Sequence, residues 1–270
     1  LECCLASLKG QTYTNTEIIL IDNSSQLQSN PQNLSYCASL NKGVHLSKGD
    51  FILCLNDDVI LNHGFIEEGL RGFLLDTRIG MVSGKILRGD GKTIDSAGLC
   101  LSCFRTAKER GYSLRDQGQF EKEEYVFGVN GAAAFYRKAM LEETKQGADY
   151  FDADFGFFYE DLDIAWRAQN AGWRGYYIPQ AIAYHLRGGS VRQERGINKK
   201  RARHYLNDAL HLDLIKNRYL TMIKNESVVN FLLYLPAILL YDLVAWLYVL
   251  LFRPWLIVKF LPKLKYFKSA

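Results

Sequence analysis

The stretch FILCLNDDVIL, residues 51–61, is an apolar run that stops at the triplet Asn56-Asp57-Asp58 and then resumes. A short apolar run bounded by polar residues is typical of a buried strand. Neighbouring side chains of an extended segment point to opposite sides, so one carboxylate of the pair is expected to face a ligand. In open α/β sheets, ligands bind beyond the carboxyl ends of the strands. The stretch therefore predicts a buried strand that ends at a binding site, although a solvated turn would also explain the triplet.

The first 190 residues alternate short apolar runs with amphipathic stretches. Strands are predicted at 17–22, 50–56, 79–87, 129–137 and 175–185, and helices at 65–75, 138–146 and 160–171. Such alternation indicates an α/β fold, in which a mixed, mostly parallel sheet is flanked by helices.

The tail of the chain differs from the rest in charge and hydrophobicity. Residues 191–270 contain 14 Lys and Arg against 5 Asp and Glu, whereas residues 1–190 contain 19 against 24. The apolar run 228–252 in this tail is long enough to span a bilayer. It also has a weakly polar face, and Pro236 is expected to interrupt it, so we favour helices that lie at the membrane interface over a span or a buried helix. The basic charge is accordingly assigned to an anionic membrane surface and not to nucleic acid.

The six cysteines are scattered along the chain, at positions 3, 4, 37, 54, 100 and 103. This spacing favours a reducing, cytosolic compartment over a secretory one. Cys100 and Cys103 form a lone C-x-x-C, which without further ligands is a weak indication of a metal or redox site.

Residues 151–173, FDADFGFFYEDLDIAWRAQNAGW, contain the densest group of aromatic and acidic residues. Glu160 and Asp161 fall in the first turn of a predicted helix, where acids complement the helix dipole. A carboxylate at the end of a partly dry aromatic segment is also suited to act as a general base. Asp163 and Arg167 are spaced for an i,i+4 ion pair along this helix.

Further candidate site residues lie near the predicted strand ends. Asp22 can accept a hydrogen bond from a base or ribose, or can cap a turn. Asn41 and Gly43 are predicted to lie in a loop, where the glycine would permit close approach of a ligand. His185, followed by Arg187, can reach both a metal and a diphosphate, although a lone histidine is more often structural.

These segments, in this order, resemble the family 2 inverting glycosyltransferases with the GT-A fold, particularly the rhamnosyltransferase-like branch. The matching stretches are CLASLKGQTYTNTEIILIDNSS, NKGVHLSKGDFILCLNDDVIL, VNGAAAFYR, FDADFGFFYEDLDIAWRAQNAGWRGYYIPQAIAYH and GGS. The resemblance covers residues 1–190, which we expect to form the GT-A domain without its usual first strand, and leaves 191–270 as a membrane-associating helical extension. The Q-x-x-R-W motif of processive synthases is missing, which favours addition of a single sugar.

The resemblance implies a role for each candidate residue. Asp161, with Glu160, would be the catalytic base, and Asp58 and His185 would bind Mg²⁺ or Mn²⁺. The expected donor contacts are Asp22, Asn41, Gly43, Asn56 and Asp57, and the expected diphosphate or acceptor contacts are Arg187, Asp163 and Arg167.

The function that follows is inverting, metal-dependent transfer of one sugar, with rhamnose as a candidate, from a UDP-, dTDP- or GDP-linked donor. The acceptor would be a lipid-linked glycan or a polysaccharide, and the protein would be cytoplasmic and peripheral at the inner face of the cell membrane. Two alternatives stay open at this point: a nucleotidyltransferase, and a non-catalytic membrane-associated scaffold derived from a transferase.

Overall fold

The computed structural model of the protein describes residues 1–22, 35–186 and 207–267. The α-helices are α1 (Glu2–Lys9), α2 (Tyr36–Leu46), α3 (Phe65–Gly72), α4 (Lys138–Thr144), α5 (Glu160–Asn170), α6 (Asp208–Asn225), α7 (Val228–Phe252) and α8 (Trp255–Phe260). The strands are β1 (Phe51–Leu55), β2 (Val59–Leu61), β3 (Ile79–Arg88), β4 (Ile94–Ser96), β5 (Leu99–Leu101), β6 (Ala107–Glu109), β7 (Glu124–Val126), β8 (Ala133–Arg137) and β9 (Arg174–His185). Two 3₁₀ helices cover Ala153–Phe155 and Leu261–Phe267.

The central sheet has seven strands. Its main path is β1-β8-β3-β9-β2, with β4 beside β3 and β7 beside β9, while β5 and β6 form a separate hairpin. A mixed sheet flanked by helices confirms the predicted fold class. The prediction of mostly parallel pairing is wrong for the described strands, because β3 and β9 are parallel and the other paired strands are antiparallel. Strand β8 causes much of this difference, since it runs antiparallel to both of its neighbours, β1 and β3.

Apolar clusters cover both faces of the sheet. On one face, α3 packs over β3 and β9 through residues such as Phe65 and Ile66. On the other face, α2, α4 and α5 enclose a core that includes Tyr136, Phe151 and Leu162. The sheet is thus covered by helices on both faces.

Two local predictions are corrected by the structure. Residues 17–22 form no strand, and the side chains of Ile18 and Leu20 are 49% and 61% exposed. Without a hydrogen-bonded neighbour among the described strands, the alternation of this segment does not produce a strand. Asn41 and Gly43 lie within α2 and not in a loop, because the side chain of Ser35 caps that helix by accepting from the Ala38 N–H.

The C-terminal helices pack against the α/β layer from one side. α6 contacts α5 and the 3₁₀ helix Ala153–Phe155. Pro236 lies inside α7, which is 25 residues long in total and continues on both sides of the proline. The predicted interruption therefore does not occur. Within the described parts of the chain, α7 is the one helix long and apolar enough to cross a membrane. The domain boundary at residue 190 stays a prediction.

Candidate active site

The end of β1 and the end of β9 bring Asp58 and His185 together. Asp58 directly precedes β2, and the antiparallel register of β2 with β9 pairs Val59 with His185. The Leu186 N–H donates to the Asp58 carbonyl at 2.9 Å, which extends this pairing by one residue. As a result, Asp58 Oδ1 lies 3.3 Å from His185 Nε2. The structure therefore brings together the two residues that the sequence predicts as metal ligands.

A buried carboxylate holds the other side of the His185 ring. Asp95 Oδ2 lies 2.8 Å from Nδ1, and the Asp95 side chain is fully buried. Burial lowers the pKa of His185, but the hydrogen bonds with Asp58 and Asp95 outweigh it and raise the pKa to about 8. Sequence reasoning missed Asp95, because its contact with His185 leaves no pattern in the local sequence TIDSAG.

The chemistry of these donors suits a divalent cation. A carboxylate at Nδ1 directs Nε2 outward, which is the usual arrangement around a histidine that ligates metal. The described residues contain no cluster of three or more acidic, histidine or cysteine ligands. Asp58 and His185 would thus hold Mg²⁺ or Mn²⁺ only as a pair, and the other ligands would have to come from outside the protein.

The other two residues of the triplet, Asn56 and Asp57, have surroundings that differ from those of Asp58. Asp57 is exposed, whereas Asp58 is partly buried, in agreement with the predicted divergence of the two carboxylates. Asn56 Oδ1 accepts a hydrogen bond of 2.9 Å from the Tyr36 hydroxyl, which also lies 3.4 Å from the Gly131 carbonyl. Burial raises the pKa of Tyr36 well above its usual value, so the hydroxyl stays a donor. Tyr36 therefore connects the end of β1 to the turn before β8.

The predicted base, Asp161, lies on the far side of that turn. Its Oδ2 accepts from the Gly131 N–H at 3.3 Å, and its Oδ1 accepts from the Leu162 N–H at 2.8 Å. Burial raises the pKa of Asp161. Burial, followed by the charge of Asp161, raises the pKa of Glu160 to about 8. Glu160 Oε2 is buried and has no hydrogen-bond partner within residues 1–22, 35–186 and 207–267.

A third acid, Glu109, is hydrogen-bonded to neighbours of Asp95 and of Gly131. Its Oε2 is 2.5 Å from the Ser96 hydroxyl, next to Asp95 in sequence, and its Oε1 accepts from Asn130 Nδ2 at 2.8 Å. Burial, followed by the charge of Asp161, raises the pKa of Glu109 to about 8. Sequence reasoning missed Glu109 because it lies in the β5–β6 hairpin, which no predicted element covered.

Three predicted contact residues, Asn41, Asp163 and Arg167, are engaged in structural hydrogen bonds. Asn41 donates to the Phe151 carbonyl at 2.7 Å, and its Oδ1 accepts from the Tyr150 and Phe151 N–H groups, so both polar atoms are occupied. A Cβ at Gly43 would meet Ile21 at an ordinary 3.7 Å, so this site does not require a glycine.

The predicted ion pair between Asp163 and Arg167 is confirmed, with Nε 2.8 Å from Oδ2. Arg167 also donates to the Thr144 and Tyr150 carbonyls, and Asp163 accepts from Asn225 Nδ2. Both side chains are buried, so they brace α5 and are not available to a diphosphate in this conformation.

Two predicted contacts lie at the margins of the described chain. Asp22 is exposed and lies at the end of the first described segment. Arg187 lies outside the described residues, so its predicted contact with a diphosphate or acceptor stays a prediction.

Comparison with known families gives a match over most of the chain. The family model described as Glycosyl transferase family group 2 matches residues 51–264, which include Asp58, Asp161 and His185. Poly-beta-1,6-N-acetyl-D-glucosamine synthase of Staphylococcus aureus, in strains COL and N315, is 22% identical over 210 residues. That alignment covers 69% of this chain and 46% of the synthase, so the chain spans about half the length of this relative.

A solved structure has a similar fold. The crystal structure of GalNAc-T7 with UDP, GalNAc and Mn²⁺ superposes with a TM-score of 0.50 at 12% sequence identity. The superposition covers 72% of this chain and 35% of that protein. The likeness confirms the predicted GT-A fold.

Proposed function

Because this chain belongs to Glycosyl transferase family group 2, we propose that it transfers a single sugar from a nucleoside diphosphate to a glycan, with inversion and with a divalent cation. The observation that supports this most directly is that two candidate metal ligands and a candidate base lie around the turn that contains Gly131. Asp58 and His185 lie at the strand ends, Asp161 lies beyond Gly131, and Tyr36 joins the two sides. A transferase of this kind needs charge neutralisation for the leaving diphosphate and a base for the acceptor hydroxyl, in separate places.

The reaction follows from these positions. Asp161 accepts the proton of the acceptor hydroxyl. The hydroxyl oxygen forms a bond to the anomeric carbon on the face opposite to the diphosphate, the bond between that carbon and the diphosphate breaks, and the nucleoside diphosphate leaves with inversion of configuration. Asp58 and His185 would hold the cation, which when bound neutralises the charge that develops on the diphosphate. Glu160 Oε2, next to the base, is buried and has no hydrogen-bond partner among the described residues.

The donor and acceptor are proposed at the level of chemical class. A UDP-, dTDP- or GDP-linked sugar is the donor. Rhamnose is the first candidate for the sugar, and N-acetylglucosamine, which appears in the name of the S. aureus relative, is the second. The acceptor is a lipid-linked glycan or a polysaccharide of the cell surface.

The exposed face of α7 supports a location at the membrane. The polar face of α7 packs inward: Asp242 accepts from Arg218 Nη1 at 2.5 Å, and Trp246 Nε1 donates to the Tyr219 hydroxyl at 2.9 Å. The opposite face is apolar and exposed, as in Leu243 at 66%. An apolar stripe of this extent seldom faces water alone. All six cysteines are free, which supports the reducing, cytoplasmic side of the membrane.

Substitutions that place charges on the apolar face of α7 are expected to weaken membrane binding strongly. In the Leu243→Lys, Leu247→Lys double variant, two side chains that are more than half exposed lose their apolar surface and gain charge. Burial of one leucine contributes about 2 kcal/mol, so the double change should weaken binding by more than about 100-fold. Sedimentation with vesicles of phosphatidylglycerol and phosphatidylethanolamine measures this.

The matched control for that experiment is Leu74→Lys, which changes a leucine 82% exposed elsewhere on the surface. Its vesicle binding should equal that of the unmodified protein. Equal vesicle binding by the α7 double variant would contradict membrane attachment through this face.

Turnover of nucleotide sugars tests the proposed activity. The full chain is incubated with UDP-, dTDP- and GDP-sugars, with and without Mn²⁺, and with lipid-linked and polysaccharide acceptors. We expect one donor to release its nucleoside diphosphate in a Mn²⁺-dependent way. Asp58→Asn should lower that rate by about 100-fold and weaken Mn²⁺ binding, measured by electron paramagnetic resonance, by at least about tenfold, because an amide is a poorer ligand than a carboxylate.

The neighbouring substitution Asp57→Asn is the control, since that side chain is exposed and points away; its Mn²⁺ affinity should stay within about twofold. Unchanged Mn²⁺ affinity in Asp58→Asn would exclude this metal site. Release of sugar 1-phosphate in place of a nucleoside diphosphate would indicate a nucleotidyltransferase. A protein that binds vesicles but turns over none of these donors would be a scaffold.

A further inference from the structure

The turn that leads into α5 has an unusual backbone. Phe158 and Tyr159 both have φ of 71°, in the left-handed region that residues with a side chain rarely adopt. Glu160 and Asp161 follow directly as the first residues of α5. Consecutive residues in this conformation are held by their surroundings. The position of the base therefore depends on whatever stabilises this turn.

A single side chain of α6 lies within hydrogen-bonding distance of three carbonyls of the turn region. Asn217 is fully buried, and its Nδ2 lies 2.8 Å from the Phe155 carbonyl, 2.8 Å from the Phe157 carbonyl and 2.7 Å from the Phe158 carbonyl. These carbonyls precede α5, so the helix supplies them with no donor, and buried carbonyls need a donor from elsewhere. The two N–H groups of the Asn217 amide supply such donors from another element and are shared among the three carbonyls.

Lys216, which directly precedes Asn217 in α6, also donates to this segment. Its ammonium group donates to the Asp154 carbonyl and lies 3.4 Å from the Phe155 carbonyl. The side chain of Lys216 is 2% exposed. Two adjacent residues of α6 thus point their donors at residues 154–158, although α6 lies far from Asp161 in sequence and was predicted to belong to the membrane extension.

We propose that Asn217 is a positioning residue for the catalytic base, which holds residues 155–158 in the conformation that presents Asp161 to the acceptor. This inference rests on the proposed function, in which Asp161 is the base. Asn217 reaches Asp161 through the backbone of the turn: the Tyr159 carbonyl accepts from the Asp163 N–H at 2.8 Å, and this bond starts α5. Asn217 is not assigned any contact with substrate.

Substitution of Asn217 tests the proposal in the full chain, with the nucleotide sugar that gives the highest rate in the turnover panel. Asn217→Leu keeps a similar volume and removes the donors, and Asn217→Ser keeps one shorter donor. We expect kcat to fall by about 30-fold or more in Asn217→Leu, and by less in Asn217→Ser, because the base is misplaced. The Kd for the donor, measured by calorimetry with Mn²⁺, should change by less than about threefold, since the metal pair lies on other elements.

Thr221→Val is the matched control. Thr221 is also fully buried on α6, one turn further on, but its hydroxyl donates to the Asn217 carbonyl of its own helix at 2.7 Å. This variant should keep kcat within about twofold of the unmodified protein, with a comparable thermal midpoint.

The outcomes separate failure of this inference from failure of the proposed function. An unmodified protein without transferase activity would contradict both the proposed function and the positioning role of Asn217. If the unmodified protein is active and Asn217→Leu retains its kcat, the positioning role is wrong. If Asn217→Leu loses donor binding in the same proportion as kcat, its effect is general destabilisation, and the inference also fails. If Asn217→Leu does not fold, the same measurements on Asn217→Ser decide.

Discussion

Asp161→Asn is expected to lower kcat by about 10³-fold, which lies within the range usually lost when a general base is removed. The amide keeps the size of the side chain, and its oxygen can still accept from the Gly131 or Leu162 N–H. It cannot accept the proton of the acceptor hydroxyl. The Kd for the donor nucleotide sugar should stay nearly unchanged, because Asp58 and His185 lie on the other side of the Gly131 turn. Single-turnover kinetics with Mn²⁺ and the donor selected in the panel measure the rate of transfer.

Glu160→Gln is the matched control, one residue away. Burial and the charge of Asp161 raise the pKa of Glu160 to about 8, so this acid holds its proton at pH 7. Glutamine resembles a protonated glutamate in shape and hydrogen bonding. The kcat of the Glu160→Gln variant should therefore fall by less than about tenfold at pH 7. Equal losses of kcat in the two variants would contradict the assignment of Asp161 alone as the base. A loss of kcat in Glu160→Gln alone would indicate that Glu160, and not Asp161, is the base.

Residues at strand ends were the most predictable part of the site. Asp58 comes shortly after β1 and His185 is the last residue of β9; both strands are recognisable from their apolar runs, and strand ends meet at one edge of the sheet. Their pairing could therefore be expected without knowledge of the intervening chain. Asp161 was predictable for a related reason, because an acidic pair after an aromatic segment marks the start of a helix next to the core.

The remaining site residues depend on tertiary contacts. Asp95 reaches His185 because β4 pairs with β3, and β3 in turn pairs with β9. Glu109 reaches Asn130 because a short hairpin folds over the turn. Neither contact produces a pattern in the local sequence. Asn41 was misplaced for the opposite reason: its neighbours have the composition of a loop, but a capped helix holds it against the backbone of Phe151.

The ion pair of α5 illustrates how a local rule predicts a contact without its role. The i,i+4 spacing correctly predicted that Asp163 and Arg167 pair. On a solvent-exposed helix such a pair contributes a few tenths of a kcal/mol. Here both groups are buried, and Arg167 additionally donates to the Tyr150 carbonyl at 2.8 Å. The energetic consequence of removing one partner is therefore much larger than the spacing alone implies.

Arg167→Met is expected to destabilise the protein by about 4 kcal/mol, because it leaves the fully buried Asp163 carboxylate without its cation. The Asn225 amide, 2.8 Å from Asp163 Oδ1, provides one remaining donor but no charge. For a domain of this size the loss corresponds to a decrease of about 10 °C in the thermal midpoint. Differential scanning calorimetry in the presence of detergent measures it, with Lys145→Met as the control. Lys145 forms an exposed i,i+3 pair with Glu142, and its removal should shift the midpoint by less than about 2 °C.

The double variant Asp163→Leu, Arg167→Met distinguishes an uncompensated charge from simple loss of packing. Removal of both charged groups eliminates the buried carboxylate that makes the single variant unstable, so the double variant should be more stable than Arg167→Met alone. If the losses of stability from the two substitutions were additive, Arg167 would stabilise the protein through its volume and its hydrogen bonds to the Thr144 and Tyr150 carbonyls. Because α5 begins with Glu160 and Asp161, a loosened pair at Asp163 should also reduce kcat, which would make this ion pair a structural requirement for catalysis.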